Sequence, residues 1–446
     1  MATILLLMYH GQGHFNAVLK PAKLLAAAHR VVFAGHQYFQ PSMKIHGFEY
    51  VGLKTVPFAL GFEKWVNQQE GKKPLYWNCL RDRWNQRLYR ARSVELSRVM
   101  DQVQPDIILI DAWQSTDFVV LYPELRKRGI RMAFIHTMLP LAMKENVPPL
   151  NSPALPGDTN AIRRHQAEFA RQQTRSRTME WLTYFGKTKQ AMLDEIFRRN
   201  NIPAIYRSRR HSLFAPSFDN VHELVFAPQE FDFDQRPGIL THYLGFMADV
   251  DRHEASDGQF ENAFQHIETR VKDGIPLVYC SFGSVVYEDE TAIRGFIEKL
   301  ISLNDDAKWL LVVSCSDAIA SRLRSHGDRV FFFTRVPQLR VLSRSSVFIT
   351  HGGLNSIKEA IYQGVPMLVY PASRDVDHEG NAARVFYHEL GLRGQMSEPG
   401  DVIGKKIHAL MTDPRFRQNL QALKKKDMTD TPARLLEFLS GLEQLA

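Results

Sequence analysis

The stretch FITHGGLNSIKEAIYQGVP, residues 348–366, predicts a strand, a glycine turn and a helix in close succession. Its apolar run ends at Thr350, two glycines follow His351, and the helix opens with Asn355 and Ser356. Free N–H groups at a helix start, together with short polar side chains, bind phosphate groups. The stretch therefore predicts a parallel α/β unit with an anion site at the strand end, although it has no P-loop lysine.

Two further features in this half of the chain point to the same site. Glu359 lies one helical turn beyond Ser356, where it can accept hydrogen bonds from a ribose attached to the phosphate. The segment SFGS, 281–284, forms a second glycine turn at the end of another predicted strand. Because parallel strands end at one edge of a sheet, Ser284 is expected beside the turn at Gly353.

Short apolar runs alternate with helical stretches along most of the chain, which is typical of βαβ units. The second half has IPLVYCS, KWLLVVSC, RVFFFT, SVFIT and VPMLVYP; the first has ATILLLM, RVVFAG, PDIILIDA (105–112) and RMAFIHT (131–137). Turn residues at 226–250 predict a linker. The fold class is therefore α/β, with two Rossmann-like β/α/β domains, 1–225 and 251–428, that face each other across a ligand-binding cleft.

The loop YHGQGHFNAVLKPAKLL, residues 9–25, lies where a dinucleotide-binding fingerprint would lie. That fingerprint needs a third glycine, where this chain has Asn16, and an acid at the end of the second strand, which residues 34–36 lack. A dinucleotide site is therefore not expected. The loop instead brings His14 to a helix N-terminus, which favours the neutral imidazole that can take up a proton. His14 is either a catalytic base or a structural histidine.

Length and composition indicate a globular protein of two or three domains, with 446 residues, 44% apolar and 23% charged. The net charge is +8, and Lys and Arg cluster at 81–98 and 163–177. We interpret these clusters as solvated helix faces; nucleic acid, a membrane surface or an anionic ligand are the alternatives. Three widely spaced cysteines predict neither a disulfide framework nor a zinc site. Neither a signal peptide nor a transmembrane segment is predicted, so a cytoplasmic location is expected.

The run from residue 335 to residue 383 resembles the donor-binding signature of the GT-B UDP-glycosyltransferases. It contains P-Q, T-H-G-G-x-N-S, E-A, G-V-P and D-x-x-x-N-A, in order and close to the family spacing. The Gly-His pair at 13–14 and the LIDA strand at 109–112 resemble the family's catalytic histidine and its partner acid. Residues 55–225 match only the general layout, as expected for an acceptor-binding region.

The resemblance implies roles for whole segments and for single residues. Domain 1–225 would bind the acceptor, domain 251–428 the donor, and the C-terminal helix, 429–446, would cross back onto the first domain. His14 would be the general base and Asp111 its partner. The donor-binding residues implied are Ser284, Val336, Gln338, His351, Gly353, Asn355, Ser356, Glu359, Asp377 and His378.

Within that set, the resemblance gives each part of the donor its own residues. Glu359 would bind the ribose hydroxyls, Val336 and Gln338 would face the uracil, and Asp377 would bind the sugar. In-line displacement at the anomeric carbon would invert its configuration, and the helix N-terminus would stabilise the departing UDP in place of a metal. The diphosphate would be held by Ser284, His351, Gly353, Asn355 and Ser356.

Three positions depart from the family pattern. Arg335 stands where plant members have a uracil-stacking Trp, although a guanidinium can also stack. Asp377-His378 stands where many members have Asp-Gln, and the preceding loop is longer than usual, so the sugar-binding acid is either Asp375 or Asp377. The leader and membrane helix of animal members are not seen, so the chain resembles the soluble bacterial ones.

Two other groups of residues have competing interpretations. Asp-x-Asp occurs at 232–234, 249–251 and 375–377, and this motif binds manganese in a different glycosyltransferase fold. We interpret these acids as turn and linker residues and expect no metal. Four tryptophans belong either to ordinary packing or to an acceptor pocket: Trp65, Trp77, Trp84 and Trp181.

The function predicted from the sequence is transfer of a hexose from a UDP-sugar to a hydroxyl of a lipophilic small molecule, such as a phenol, polyketide or terpenoid, with inversion. The alternatives are a nucleotide-sugar epimerase on the same scaffold and a non-catalytic binder of lipid or another ligand. No cofactor beyond the UDP-sugar co-substrate and no nucleic-acid partner are expected. Weak contact with a membrane surface stays open for the basic clusters.

Overall fold

The computed structural model describes residues 1–209, 212–252, 254, 256–283, 290–306, 309–323, 328–373, 376–427 and 431–444. Within these residues the chain forms two large parallel sheets with helices packed against them. The predicted α/β fold class with two Rossmann-like halves is confirmed.

The first sheet has the strand order β3-β2-β1-β4-β5-β8-β9, and all of its pairs are parallel. Its strands are β1 (Thr3–Leu7), β2 (Arg30–His36), β3 (Glu49–Leu53), β4 (Ile107–Asp111), β5 (Arg131–His136), β8 (His222–Val225) and β9 (Thr241–Tyr243), and a small antiparallel ribbon is made of β6 (Ser208–Arg209) and β7 (Ser217–Phe218). The accompanying helices are α1 (Gln12–Ala26), α2 (Gln40–Ile45), α3 (Glu63–Gln69), α4 (Leu75–Trp84), α5 (Arg87–Val103), α6 (Thr116–Arg128), α7 (Thr159–Thr183) and α8 (Lys189–Arg199).

The second sheet has the strand order β12-β11-β10-β13-β14-β15 and is also parallel throughout. Its strands are β10 (Leu277–Ser281), β11 (Leu310–Ser314), β12 (Val330–Phe333), β13 (Val347–Thr350), β14 (Met367–Val369) and β15 (Gly391–Arg393). The remaining helices are α9 (Gly258–Lys272), α10 (Glu290–Asp306), α11 (Asp317–Leu323), α12 (Gln338–Leu342), α13 (Leu354–Gln363), α14 (His378–Tyr387), α15 (Gly400–Thr412), α16 (Pro414–Asp427) and α17 (Thr431–Gln444).

Central strands form where the sequence has continuous apolar runs, because they are covered on both faces. In β1, Leu5 and Leu7 pack into one core while Ile4 and Leu6 pack into another on the opposite face. All five residues of β4 are buried, including the final carboxylate, Asp111. Each of the nine strands predicted from such runs is present.

Each sheet reverses its strand order beside the strand that precedes a glycine loop. In the first sheet β1 lies between β2 and β4, and in the second β10 lies between β11 and β13. At such switch points the loops diverge and leave a crevice at the carboxyl ends of the strands. The loops that open α1 and α13 therefore occupy the expected ligand-binding ends of the two sheets.

The two halves of the chain meet along α14. A Cβ atom built on Gly380 would lie 1.8 Å from the carbonyl oxygen of Leu150, so the loop before α7 rests directly on the helix backbone. Nearby, Nη1 of Arg393 donates to the carbonyl of Pro153 at 2.7 Å. In both contacts the second half touches a backbone carbonyl group of the first half and not a side chain.

A buried ion pair holds the connecting segment on the same helix. Nη2 of Arg384 lies 2.6 Å from Oδ1 of Asp232, and the hydroxyl of Tyr243 donates to Oδ2 at 2.6 Å. The guanidinium also lies 4.4 Å from the ring centre of Phe233. Burial alone would raise the pKa of Asp232, but Arg384 and Tyr243 outweigh it, and the pKa is lowered. This Asp-x-Asp acid is therefore held in an ion pair.

The segment 226–250 includes β9, which adds an edge to the first sheet, so that sheet extends beyond the predicted end of the first domain. At the other end of the chain, α17 packs against the first half: Leu435 and Leu439 are buried there, and Nη1 of Arg131 donates to the Leu442 carbonyl at 3.0 Å. The domain limits stay a prediction. None of the described helices combines the length and apolar character needed to span a bilayer.

Candidate active site

His14 and Asp111 meet at the carboxyl end of the first sheet. Nδ1 of His14 lies 2.7 Å from Oδ2 of Asp111, and the carboxylate is completely buried. The contact arises because β1 and β4 are parallel neighbours, so the loop after one strand lies beside the end of the other. The second carboxylate oxygen accepts from the backbone N–H of Trp113 at 3.0 Å, which fixes the orientation of the carboxylate.

Thr137, which the sequence analysis did not identify, also contacts the histidine. It follows β5, the next strand beside β4, and its Oγ1 lies 2.8 Å from Nδ1 of His14. An ionised Asp111 can only accept, so the tautomer that suits this contact carries a proton on Nδ1 and leaves Nε2 as the acceptor atom. The sequence signal was its position: Thr137 ends the predicted strand RMAFIHT, beside the strand that ends in Asp111.

Aromatic side chains surround the imidazole. The ring centres of Tyr9 and Trp113 lie 5.1 and 5.3 Å from that of His14, and Phe214 stacks on Trp113 at 5.1 Å. Burial, and then the charge of Asp111, raise the pKa of the Tyr9 hydroxyl to about 12. The side chains of the four tryptophans singled out from the sequence are instead 44 to 62% exposed. Trp113, rather than those four, supplies the wall beside His14.

Two neutral histidines pack together here: His351 in the glycine turn after β13 and His378 at the start of α14. A Cβ atom on Gly283 or Gly353 would lie 2.7 Å from the His351 ring, so both glycines are needed for its close packing. The ring of His378 lies 4.6 Å away at 79°. Burial lowers the pKa of His351 to about 4, and burial with the neighbouring ring lowers the pKa of His378 to about 3. Both rings are therefore neutral at pH 7, and His351 can stabilise an anion only as a hydrogen-bond donor.

The residues predicted to bind the nucleoside come together at α12 and α13. Nε2 of Gln338 donates to Oε2 of Glu359 at 2.7 Å and to Oγ of Ser356 at 3.1 Å. Nη1 of Arg252 donates to Oε1 of Glu359 at 2.5 Å. Both oxygens of this buried carboxylate are thus engaged, and a ribose would have to share it with Arg252. Val336 is half-buried and packs against a core that contains residues of both halves.

The two glycine loops are in direct contact. Nδ2 of Asn355, at the start of α13, donates to the carbonyl of Gly13 at 2.6 Å. The predicted phosphate-binding turn therefore lies next to the loop that carries His14.

Asp377 is buried on the second half immediately before α14. Its Oδ2 accepts from Nδ2 of Asn381 at 2.7 Å, and the same amide donates to the carbonyl of Gly352 at 2.8 Å. Burial raises the pKa of Asp377 to about 6, although the hydrogen bond from Asn381 acts in the opposite direction. Ser284 and Asp375 lie outside the described residues.

Among the described residues, no group of three or more His, Cys, Asp or Glu side chains is arranged to bind a metal ion. Asp249 of the second Asp-x-Asp motif pairs with Lys23 at 2.6 Å.

The neutral histidine pair predicts a loss of stability in acid. Because the folded-state pKa of each is below the unfolded value near 6.5, their contribution is complete above pH 6.5 and is lost as pH falls towards 4. The free energy of unfolding of the wild type should fall between pH 6.5 and pH 5. In His378→Asn we expect this fall to be smaller by about 2 kcal/mol. Urea unfolding at both values measures it. His408→Asn, on α15, is the control, and equal slopes for wild type and His378→Asn would contradict the assignment.

Known proteins include relatives of this chain. Residues 215–436 match the family model of the UDP-glucoronosyl and UDP-glucosyl transferases. The chain is 25% identical over 244 residues to the NDP-glycosyltransferase YjiC of Bacillus licheniformis, over 52% of this chain and 54% of that relative, so the match spans about half of its length. It is 21% identical over 331 residues to zeaxanthin glucosyltransferase of Pantoea ananas, over 73% of this chain and 69% of that protein.

A solved structure has the same fold over the whole chain. The glycotransferase of kitacinnamycin superposes with a TM-score of 0.68 at 17% identity, covering 99% of each chain. From the family match, these relatives and the shared architecture of two parallel sheets, we conclude that the chain belongs to the UDP-glycosyltransferase family and has the GT-B fold.

Proposed function

We propose that the protein transfers a hexose from a UDP-sugar to a hydroxyl of a lipophilic small molecule and inverts the anomeric configuration. The contact of Asn355 with the Gly13 carbonyl carries this proposal, because it sets the His14 loop against the phosphate-binding turn. Residues 1–225 bind the acceptor and residues 251–428 bind the donor.

The reaction is a single displacement. Nε2 of His14 takes the proton of the acceptor hydroxyl while the oxygen attacks the anomeric carbon, and the bond from that carbon to the UDP oxygen breaks. Asp111 and Thr137 hold Nδ1–H and so keep Nε2 in its accepting form. The N–H groups at the start of α13 and the neutral His351 ring stabilise the charge that develops on the diphosphate.

The acceptor class follows from the surroundings of His14. Tyr9, Trp113 and Phe214 form an aromatic wall, and Phe62 lies 5.2 Å from the neighbouring His10 ring. Such walls favour flat or extended apolar molecules with one hydroxyl directed at the base. The similarity to a zeaxanthin glucosyltransferase agrees with an apolar acceptor.

Product analysis by mass spectrometry tests this function. The protein is incubated with UDP-glucose, UDP-galactose or UDP-N-acetylglucosamine and a panel of phenols, polyketides and hydroxylated terpenoids. We expect UDP release that depends on the acceptor, together with an acceptor that has gained one sugar unit. Interconversion of UDP-sugars without acceptor would instead establish the epimerase, and binding without turnover would establish the non-catalytic binder.

The role of Asp377 gives a sharper prediction. Its carboxylate accepts hydrogen bonds from the sugar, and bonds to a charged group contribute about 1.5–3 kcal/mol. Asp377→Asn should lower turnover about 10- to 100-fold with little change in affinity for UDP. Because the pKa of Asp377 is raised to about 6, the ionised form is lost, and transfer slows, as the pH falls through 6. Calorimetry with UDP and initial rates decide the matter.

The exposed Asp401→Asn on α15 is the control for this variant and should behave as wild type. If Asp377→Asn kept full turnover, Asp375 and not Asp377 would be the residue that binds the sugar.

A further inference from the structure

One surface of the first half exposes large apolar side chains that a folded protein normally covers. Four of the six tryptophans of the chain are exposed there, by 44 to 62%. Contiguous exposed apolar surface marks an interaction site in soluble proteins. We call this surface the aromatic face; its main members are Trp65, Trp77, Trp84, Trp181, Leu182 and Phe185.

Contacts between the elements bring these side chains together. Trp77 and Trp84 lie two turns apart on α4, hence on one side of that helix. The hydroxyl of Tyr76 donates to the Thr183 carbonyl at the end of α7, at 2.7 Å. Nζ of Lys187 lies 5.2 Å from the Trp84 ring. The aromatic face is therefore one surface made by α3, α4 and the end of α7.

The same segments carry the net positive charge of the protein. Residues 62–90 and 171–190 together hold twelve Lys or Arg and four Asp or Glu, a difference of eight. The whole chain holds 56 and 48, so the remaining residues balance. All four acids of the two segments are in ion pairs with arginine or lysine: Glu63, Glu70, Asp82 and Glu180. Their charges are neutralised locally, while Lys73 and Arg175 are exposed to solvent.

The aromatic face is continuous with the catalytic pocket. Phe62 immediately precedes α3, the helix that carries Trp65, and its ring lies 5.2 Å from that of His10 and 6.5 Å from that of Tyr9. Phe62 and Trp65 are only three residues apart. A molecule bound at the aromatic face would therefore lie about one helical turn from the wall of the pocket.

We propose that the aromatic face docks the protein on an anionic lipid bilayer, from which the acceptor enters the pocket beside Phe62. Tryptophan and tyrosine prefer the interface between water and lipid, and lysine and arginine are attracted by anionic headgroups. The exposed aromatics and the unbalanced cations lie in the same segments of the chain, which fits both requirements. The route of the acceptor rests on the proposed transferase function, whereas docking on the bilayer does not.

Sedimentation with vesicles tests the docking. The full chain should bind vesicles of phosphatidylcholine mixed with phosphatidylglycerol, and bind much less to phosphatidylcholine alone or at high salt. Trp77→Ser/Trp181→Ser should weaken binding about tenfold or more, and Lys73→Gln/Arg175→Gln about fivefold for each cation removed. Tyr38→Ser/Ile239→Ser, which removes exposed apolar side chains from other places, and Lys405→Gln should bind as wild type does.

Three results would overturn the proposal: no binding to anionic vesicles, equal binding by the face variants, or tighter binding to a single-stranded oligonucleotide than to vesicles. Turnover of a water-soluble phenol separates docking from catalysis, because the face variants should keep wild-type rates with it. If the wild-type chain did not bind anionic vesicles but turned over that phenol fully, docking would be refuted and the transferase function would stand.

Discussion

His14→Ala is expected to lower turnover by about 10² to 10⁴, the usual loss when a general base is removed. The affinity for UDP should stay close to that of the wild type, because His14 belongs to the first half and holds the acceptor proton. Asp111→Asn should show a weaker form of the same defect, since the ring remains but its Nδ1 proton loses the buried carboxylate at 2.7 Å. Calorimetry with UDP and initial rates at saturating donor measure both quantities.

His351→Ala is the matched counterpart on the second half. It should weaken UDP binding and also slow transfer, because the departing diphosphate loses a donor. If His14→Ala lost UDP binding while His351→Ala kept it, the proposed roles of the two halves would be wrong. An acidic phenol gives an internal control. A phenol that is already ionised needs no base, so His14→Ala should retain much more activity with it than with an alcohol.

Arg384→Ala is expected to lower the free energy of unfolding by about 3–5 kcal/mol. The variant leaves the buried carboxylate of Asp232 without its guanidinium partner, and an uncompensated buried charge is costly. Urea unfolding at pH 7 measures the loss. Arg384→Met/Asp232→Asn removes both charges and should recover part of the stability, which isolates the charge effect from the loss of packing on Phe233.

Arg344→Ala is the control for Arg384→Ala. Its partly exposed pair with Glu268 at 3.0 Å should contribute no more than about 1 kcal/mol. Equal stability losses for the two arginine variants would show that the buried pair does not hold the connecting segment on α14.

The sequence was most informative where one local pattern determines one element. Continuous apolar runs predicted the central strands, since only strands covered on both faces tolerate them. The contact of His14 with Asp111 was expected only from the family resemblance, and the parallel pairing of β1 with β4 accounts for it. Edge strands such as β3 and β15 lack such runs and were therefore not predicted.

Contacts made by loops were beyond sequence analysis. Arg252 lies 107 positions from Glu359, and its segment carries no periodicity that points to the nucleoside pocket. Thr137 stands 123 positions from His14, and only the order of strands in the sheet brings them together. The exposed tryptophans were ambiguous because composition does not reveal which aromatic clusters are covered.

The way in which the halves meet has a consequence for how such enzymes diversify. Leu150 and Pro153 contact the second half through carbonyl oxygens, and the Gly13 carbonyl accepts from Asn355. Any amino acid supplies a carbonyl, so these backbone contacts do not depend on the side chains at the three positions, although the Leu150 side chain is also buried in the core between the halves. Gly380, by contrast, has no room for a side chain. New acceptor pockets can therefore evolve on the first half by exchange of side chains, while an unchanged second half continues to recognise it.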